Sequence, residues 1–382
     1  MFRKILAGVL IAISLAAAPV GAAADGVSNP PPSPLSLSFL SQHMPGGFLN
    51  VFRNTKMEVA QRGASGLATT TTIASAPSYT LDGWIGYSFG AAATCKQSTT
   101  VPSGVGVKYA LECDGVASNT DIKIGQRVES FMASPVAGVV STLQFWYYQN
   151  TGSTVTPKIV ECVATAADTW NGGTNKFDCA NNSGATADLG ATSLTACATA
   201  TWCLETYTWT PNANAANGVE VDIDCNAAFA SSSVKCMVAA PDFRPTPGMT
   251  NNAIAAAVPP PELRPIGVEL AQSQRYLPAF TSGRLPGLGE FGDSSHGYFT
   301  VFFSIPTRVP VTGVIVGTVA NIWATEDSIV APVALSALSI NGSVSVSAAR
   351  IYVATATASF TAGYLFQLDM TPTSFYFTGA EL

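Results

Sequence analysis

The chain has 382 residues, which is enough for two or three domains. Only 11% of the residues are charged, against about a quarter in an average soluble protein, and the formal net charge is −6. This composition argues against nucleic acid and anionic membrane surfaces as partners, because both select for clustered Lys and Arg. A surface built mainly from hydroxyls and amides fits contact with glycans and self-association equally well.

The N-terminus has the pattern of a secretory signal peptide. Arg3 and Lys4 precede an apolar run over 5–18, and three consecutive alanines end at position 24. The apolar run is shorter than the roughly 18 to 20 residues that span a bilayer, so a retained anchor is the weaker interpretation. We expect a signal peptide over 1–24, no membrane insertion of the mature chain, and a secreted or cell-surface location.

The next segment, 25–48, is rich in Pro and Ser and predicts an extended linker. From position 49 the chain changes to Thr-, Ser-, Ala- and Val-rich runs of alternating polarity, such as 139–147 and 203–210, which Gly, Asn and Pro interrupt. This pattern predicts a β-domain over 49–245.

All eight cysteines lie within this β-region: Cys95, Cys113, Cys162, Cys179, Cys197, Cys203, Cys225 and Cys236. An even, clustered number behind a leader predicts disulfides. Zinc is the weaker alternative, because there is no C-x2-C pair and both histidines, His43 and His296, lie outside the cluster. We therefore assign no metal and no cofactor. Eight cysteines allow many connectivities, and pairing between nearest neighbours along the chain is the expected one.

Four aromatic residues of this region are candidate ligand-binding residues: Trp170, Trp202, Tyr207 and Trp209. An exposed indole or phenol can pack on the apolar face of a sugar ring while polar groups bind its hydroxyls. Trp170 has polar, Gly-rich neighbours, and Tyr207 and Trp209 fall on one face of a strand-like run. Ordinary core packing is the alternative for all four, and it is the expected role of Trp84 and Trp146.

The segment 246–285 predicts a Pro-rich linker with a short helix. Three prolines end at position 261, and Ile266, Leu270 and Ala271 then recur at helical spacing. The β-pattern returns over 286–382, where Asn341-Gly342 is typical of a two-residue hairpin turn. The predicted fold class is all-β, with two β-sandwich domains joined by a short helix.

The phrase RPIGVELAQSQRY at 264–276 resembles a phrase that recurs in tail-fibre and receptor-binding proteins of tailed bacteriophages. Phrases at 54–63, 79–84, 126–129 and 143–146 resemble the same family and follow in the same order. The family carries a jelly-roll domain similar to carbohydrate-binding modules. The resemblance therefore implies a domain of that type, with a cell-surface polysaccharide or glycan as the partner. It also makes a virion the alternative location, although phage tails are normally assembled in a reducing cytoplasm where disulfides do not form.

The sequence singles out no catalytic arrangement. Asp293, Ser294, Ser295 and His296 share one loop, but neighbours in a loop seldom face one another as a catalytic triad does. A glycosidase needs two positioned carboxylates, and no pair stands out. The leading hypothesis is a non-catalytic surface adhesin or tail-fibre-like protein that binds cell-surface glycans. The alternatives are a structural subunit of a surface layer or appendage, which would form homo-oligomers, and a glycan-cleaving enzyme.

Overall fold

The structure is a computed structural model that describes residues 49–62, 70–170, 186–189, 194–254, 258–326, 331–357 and 360–382, with the backbone alone at 186–189 and 342–344. The predicted signal peptide and the Pro/Ser-rich linker lie outside the described residues. Among the described residues, no helix has the length and apolar character needed to cross a membrane.

In its described residues, the N-terminal half has twelve strands and two short helical elements. The strands are β1 (Thr71–Ile73), β2 (Ser78–Tyr79), β3 (Ile85–Phe89), β4 (Ala93–Ser98), β5 (Ala110–Asp114), β6 (Asp121–Glu129), β7 (Ser141–Gln149), β8 (Lys158–Val163), β9 (Thr186–Leu189), β10 (Thr201–Trp209), β11 (Gly218–Asp224) and β12 (Lys235–Pro245). Helix α1 (Ser130–Ala133) follows β6, and a 3-10 turn (Ala213–Asn217) precedes β11.

These strands form two six-stranded antiparallel sheets, in the orders β1-β4-β5-β12-β7-β10 and β2-β3-β6-β11-β8-β9. Each sheet buries the apolar face that its alternating residues form, and the two buried faces pack together in a single core. Trp84 lies in that core with no exposed surface, as predicted, and its ring meets Phe52 edge to face at 5.4 Å. We call this unit the N-terminal sandwich.

Three disulfides in the N-terminal sandwich match the expected nearest-neighbour pairing: Cys95–Cys113, Cys197–Cys203 and Cys225–Cys236. Cys95 and Cys113 lie directly opposite each other on β4 and β5. Cys162 is also disulfide-bonded. Its predicted partner, Cys179, lies outside the described residues.

The part of the C-terminal half that the structure describes has ten further strands: β13 (Ala279–Phe280), β14 (Gly283–Arg284), β15 (Gly287–Phe291), β16 (His296–Phe302), β17 (Gly313–Val316), β18 (Ile322–Glu326), β19 (Val333–Val344), β20 (Ala348–Thr355), β21 (Leu365–Met370) and β22 (Phe375–Thr378). A 3-10 turn (Val319–Asn321) precedes β18.

Seven of these strands form one sheet in the order β14-β21-β15-β16-β20-β19-β18, and β18 also pairs with β21. The sheet therefore closes on itself, and a separate three-stranded sheet, β13-β22-β17, completes the unit. The core holds residues from Leu285 to Ala380 and is distinct from that of the N-terminal sandwich. The all-β class is confirmed, although the second unit is more barrel-like than the expected sandwich. We call it the C-terminal barrel.

The predicted hairpin turn at Asn341-Gly342 is wrong. Both residues lie inside β19, where the pairing with β20 shifts register between Ile340 and Val344. The chain reverses later, where the amide of Ser345 donates to the carbonyl of Ala348. The Asn-Gly pair therefore lies in a local bulge of β19, and the turn follows a few residues later in the chain.

The predicted helix is present as α2 (Ile266–Gln274), but its buried face is polar. Ile266 and Leu270 are 49% and 37% exposed, whereas Glu269 and Ser273 are buried. The carboxylate of Glu269 accepts the backbone N–H of Asn54. Helix α2 is therefore oriented by hydrogen bonds to the N-terminal sandwich rather than by an apolar stripe.

The start of α2 is held by Arg264, whose side chain is fully buried. Its guanidinium donates to the carbonyls of Asn50 and Phe52 and, at 3.0 Å, to Oε1 of Gln272, and it lies 3.8 Å from the Glu269 carboxylate. Burial lowers the pKa of Arg264 and raises that of Glu269. The predicted linker is thus bound to the sandwich, while the domain boundaries at 246–285 stay a prediction.

Replacing Glu269 by Ala should lower the free energy of unfolding by about 3 to 5 kcal/mol, because it leaves the buried Arg264 charge without its carboxylate. Leu270→Ala, on the exposed side of the same helix, should change it by less than about 1 kcal/mol. Urea denaturation measures both values. Equal, small losses for the two variants would contradict the anchoring role of Glu269.

Non-reducing peptide mass spectrometry of the mature protein should yield four intramolecular disulfides, with Cys162 linked to Cys179. The three described pairs predict cross-linked peptides that disappear on reduction. Each closed loop should stabilise the fold by about 2 to 3 kcal/mol in the chain-entropy account. Free thiols in protein isolated from its native compartment would contradict the assignment.

Candidate functional site

The outer surface of the C-terminal barrel carries exposed aromatic side chains on strand β16. Residues 297, 299 and 301 of this strand are buried, and Tyr298 and Phe302 are 37% and 51% exposed. Because successive side chains of a strand point to opposite faces, Phe299 enters the core and Tyr298 faces outward. Strand periodicity therefore places a phenol on the surface of this sheet.

Strand register surrounds Tyr298 with polar groups. Tyr298 lies opposite Glu290 of β15 on one side and opposite Tyr352 of β20 on the other. Two residues further along the same face of β16, Thr300 lies opposite Arg350 of β20. Directly opposed side chains in antiparallel strands are neighbours, about 4.5 to 5.5 Å apart at Cβ. A carboxylate, a guanidinium and a hydroxyl are thereby grouped around one phenol.

An open cleft of about 650 Å³ is lined by Glu290, Tyr298, Thr300 and Arg350, with Leu288 and Leu365 as apolar walls. We call it the Tyr298 cleft. The guanidinium carbon of Arg350 lies 4.4 Å from the centroid of the Tyr298 ring, and the Tyr352 ring meets Tyr298 edge to face at 5.8 Å. These contacts fix the ring's orientation.

Gly289 allows β15 to lie close to the core beneath the cleft. A Cβ at this position would lie 2.4 Å from the ring of Phe366, a distance that no side chain tolerates. Gly289 is itself buried and lines the cleft. A larger residue here would push β15 outward and displace Glu290 from its place beside Tyr298.

The Asp293–His296 loop does not have triad geometry. The Asp293 carboxylate lies 2.9 Å from Nδ1 of His296, and the hydroxyl of Ser295 lies 3.1 Å from the same nitrogen. A triad needs the acid and the nucleophile on opposite ring nitrogens. Hydrogen bonds from the backbone of Ser295 and from His296 hold the pKa of Asp293 at about 2, so this carboxylate acts as a loop brace.

Close carboxylate pairs occur in the N-terminal sandwich, but they lie away from the clefts. Glu220 and Asp222 are fully buried on β11, and burial raises the pKa of Asp222 well above its usual range. Glu220 is held by Arg127 at 2.6 Å. Among the described residues, the Tyr298 cleft contains a single carboxylate, that of Glu290, whereas a glycosidase uses two.

Tyr207 and Trp209 are core residues, and their assignment as ligand-binding residues is wrong. They are 6% and 2% exposed, and their rings stack on each other at 6.2 Å. Trp209 also stacks on Phe243 at 4.9 Å, and its Nε1 donates to Glu161 at 2.6 Å. The shared face of these two residues was correctly inferred, but that face is the inner one.

Trp170 and Trp202 are half-buried at separate places on the N-terminal sandwich. Trp202 lies 5.4 Å from the Tyr148 ring on the outer face of the first sheet. Trp170 packs on the guanidinium of Arg127 at 4.9 Å, and its indole N–H is buried without a partner among the described residues. The four predicted aromatic residues therefore do not form one site.

Sequence reasoning missed the Tyr298 cleft. The available signal was the adjacent pair Tyr298-Phe299 inside an alternating strand, since two neighbouring aromatic residues of a strand must face opposite sides. The partners Glu290 and Arg350 lie on other strands, and only strand register brings them to Tyr298.

No family model matches the chain, and no curated protein matches its sequence. The solved structures that show similarity include the following three. One is the CBM22-1 and GH10 modules of a Clostridium thermocellum xylanase, with xylohexaose (TM-score 0.28, 10% identity, 44% of this chain and 27% of that chain). The second is the enzymatically active domain of tailspike protein 4 of bacteriophage CBA120 (0.33, 10%, 52% and 22%). The third is the CBM22-2 xylan-binding domain from Paenibacillus barcinonensis Xyn10C (0.29, 12%, 43% and 92%).

The chain thus spans 27% and 22% of the length of the first two of these structures. TM-scores below 0.5 are too low for these matches to bear on function. The sequence phrases shared with phage tail-fibre proteins stay a resemblance.

Trp209→Ala should cost about 3 to 5 kcal/mol of unfolding free energy, because it removes a core ring and leaves the Glu161 carboxylate without its indole donor. Trp202→Ala, at a half-buried surface position, should cost clearly less. Urea unfolding of the two variants separates the roles. A Trp209 variant of normal stability that has lost ligand binding would restore the original assignment.

Proposed function

We propose that the protein is a non-catalytic surface adhesin that binds cell-surface polysaccharide, with the Tyr298 cleft as its glycan-binding site. The observation that carries the proposal is the exposed phenol of Tyr298, fixed by Arg350 and Tyr352 and flanked by Glu290 and Thr300. A sugar ring presents an apolar C–H face and a rim of hydroxyls. An oriented aromatic ring surrounded by hydrogen-bonding groups matches both features.

The polar groups of the cleft suit neutral sugar hydroxyls. Glu290 offers acceptor oxygens, Arg350 offers donors, and the Thr300 hydroxyl can do either. Leu288 and Leu365 add apolar surface to the same cleft. The volume of about 650 Å³ lies within the range of natural ligand sites, and the open shape accommodates an internal unit of a longer chain.

The disulfides support an extracellular site of action. Disulfides persist in oxidising compartments and are rare in the cytosol. The described pairs, such as Cys95–Cys113, join neighbouring strands of one sandwich. Together with the predicted signal peptide, they favour a secreted or cell-surface location over a virion assembled in the cytoplasm.

A structural subunit of a surface layer or appendage is the second candidate. Leu288, Phe302 and Leu365 are each more than half exposed on the C-terminal barrel, and exposed apolar groups of this kind also suit contact between copies of a chain. Light scattering and electron microscopy distinguish the candidates. Ordered assembly that is indifferent to sugar would favour the structural role.

Trp170 and Trp202 stay predicted ligand-binding residues of the N-terminal sandwich. Each retains partial exposure, but neither lines a described cleft. Because the Trp170 ring packs on Arg127, Trp170→Ala should affect stability as well as any binding. A loss of glycan binding in this variant at unchanged melting temperature would assign a second site.

Tyr298→Ala should weaken binding to a bacterial surface polysaccharide by about 1 to 3 kcal/mol, with an unchanged melting temperature. A glycan array with the folded mature protein identifies the ligand, and titration calorimetry measures the affinity. Tyr364→Ala is the matched control, because Tyr364 is 48% exposed on the same barrel and does not line the cleft. Failure to retain any polysaccharide, or equal losses in both variants, would contradict the proposal.

A further inference from the structure

A second cleft lies between α2 and the N-terminal sandwich, with a volume of about 380 Å³. We call it the helix cleft. Its walls come from the segment before β1, from the end of β6 with α1, and from the C-terminal end of α2. Of the partners of Arg264 at the start of α2, Gln272 also lines this cleft.

Arg53 supplies an unusual group to the helix cleft. Its side chain is 5% exposed, and its guanidinium stacks at 3.9 Å on the ring of Tyr276. Nη1 donates to the carbonyl of Arg127 at 3.1 Å. Nε and Nη2 are buried and have no hydrogen-bond partner among the described residues. Buried donors without partners are costly, so an acceptor that enters the cleft gains more from them than from solvated donors.

Gln272 adds a second unpaired donor. Its Oε1 accepts from Arg264 at 3.0 Å, which fixes the orientation of the amide, and its Nε2 has no partner in the described part of the chain. Arg53 and Gln272, which come from different elements and each have unpaired donors, thus line one cleft.

The charge of the helix cleft favours an anion. Arg53 and Arg275 are set against one carboxylate, that of Glu129, which pairs with Arg275 at 3.3 Å. Burial raises the pKa of the Tyr276 hydroxyl, so that group stays neutral at physiological pH. Among the residues that line the cleft, cations therefore outnumber carboxylates by one, although the carboxylates of Asp82 and Glu381, outside the lining, also interact with the Arg53 charge.

The remaining wall is apolar. Phe131 is 52% exposed although it lines the cleft, and Met132 and Val51 lie beside it. A phenyl ring at this exposure and a flexible thioether suit the flat or aliphatic body of a small molecule. The cleft therefore combines a cationic, donor-rich end with an apolar wall.

We propose that the helix cleft is a binding site for a small monocarboxylate ligand, with the carboxylate on Arg53 and Gln272 and the body of the ligand against Phe131. A carboxylate offers two acceptor oxygens and one negative charge, which match the unpaired donors and the excess charge. Both a uronic acid unit of a glycan and an apolar organic acid carry this chemistry. The site is separate from the Tyr298 cleft and does not depend on the function proposed there.

Titration calorimetry on the full mature protein tests the proposal with two matched probe pairs: benzoate against benzamide, and glucuronate against glucose. At least one carboxylate should bind, at least about tenfold more tightly than its neutral partner. Binding of benzoate alone identifies an apolar acid, and binding of glucuronate alone identifies a sugar acid. No binding of either carboxylate, or equal binding of the neutral partner, overturns the proposal.

The variant Gln272→Glu tests whether the carboxylate binds in the helix cleft. It keeps the oxygen that accepts from Arg264, replaces the unpaired donor by an acceptor, and removes the excess positive charge, so carboxylate affinity should fall by at least about tenfold. Gln367→Glu on β21 makes the same chemical change away from the cleft and should leave the affinity unchanged. Equal affinities in the two variants overturn the proposal.

Arg53→Gln is the direct variant, but it also removes the bond to Arg127 and the stack on Tyr276, so it can fail to fold. Phe131→Ala, at an exposed position, provides the second measurement. It should weaken binding of the active carboxylate severalfold at an unchanged melting temperature. Unchanged affinity would remove Phe131 from the site and overturn the proposed pose. Tyr298→Ala should leave carboxylate binding intact, which separates this site from the glycan-binding cleft.

Discussion

The buried guanidinium of Arg264 is the interaction on which the arrangement of α2 depends. It binds the carbonyls of Asn50 and Phe52, the amide of Gln272 and the carboxylate of Glu269, so one cation ties the first described segment to the helix. A buried charge is tolerated only where such partners surround it. The position of the helix therefore follows from satisfying one side chain, and the shape of the helix cleft follows from the position of the helix.

This role also explains the phrase that carried the family resemblance. In RPIGVELAQSQRY, Arg264 and Glu269 form the buried pair, whereas Ile266 and Leu270 face outward. The phrase thus encodes the attachment of a helix to a sandwich. The same phrase also contains Gln272, Arg275 and Tyr276, which line the helix cleft.

The sequence predicted what depends on local pattern. Alternating runs gave the strands, the prolines and helical spacing gave α2, and cysteine spacing gave Cys95–Cys113, Cys197–Cys203 and Cys225–Cys236. It could not predict which face of a strand is buried when both faces carry aromatic residues, and for that reason Tyr207 and Trp209 were misassigned. The Tyr298 cleft was equally inaccessible, since its residues meet only through the pairing of β15, β16 and β20.

The pairing of β18 with β21 has a consequence for the solution behaviour of the C-terminal barrel. An open sheet leaves a row of unpaired amides and carbonyls at each edge, which other chains can extend, and many proteins block such edges with lysine. Here charged residues are scarce, at 11% of the chain. Closure of the ring gives β18 a hydrogen-bonded neighbour on both sides and removes one edge by topology instead of charge. The seven-stranded sheet is thereby protected from strand addition at that edge without charged residues to block it.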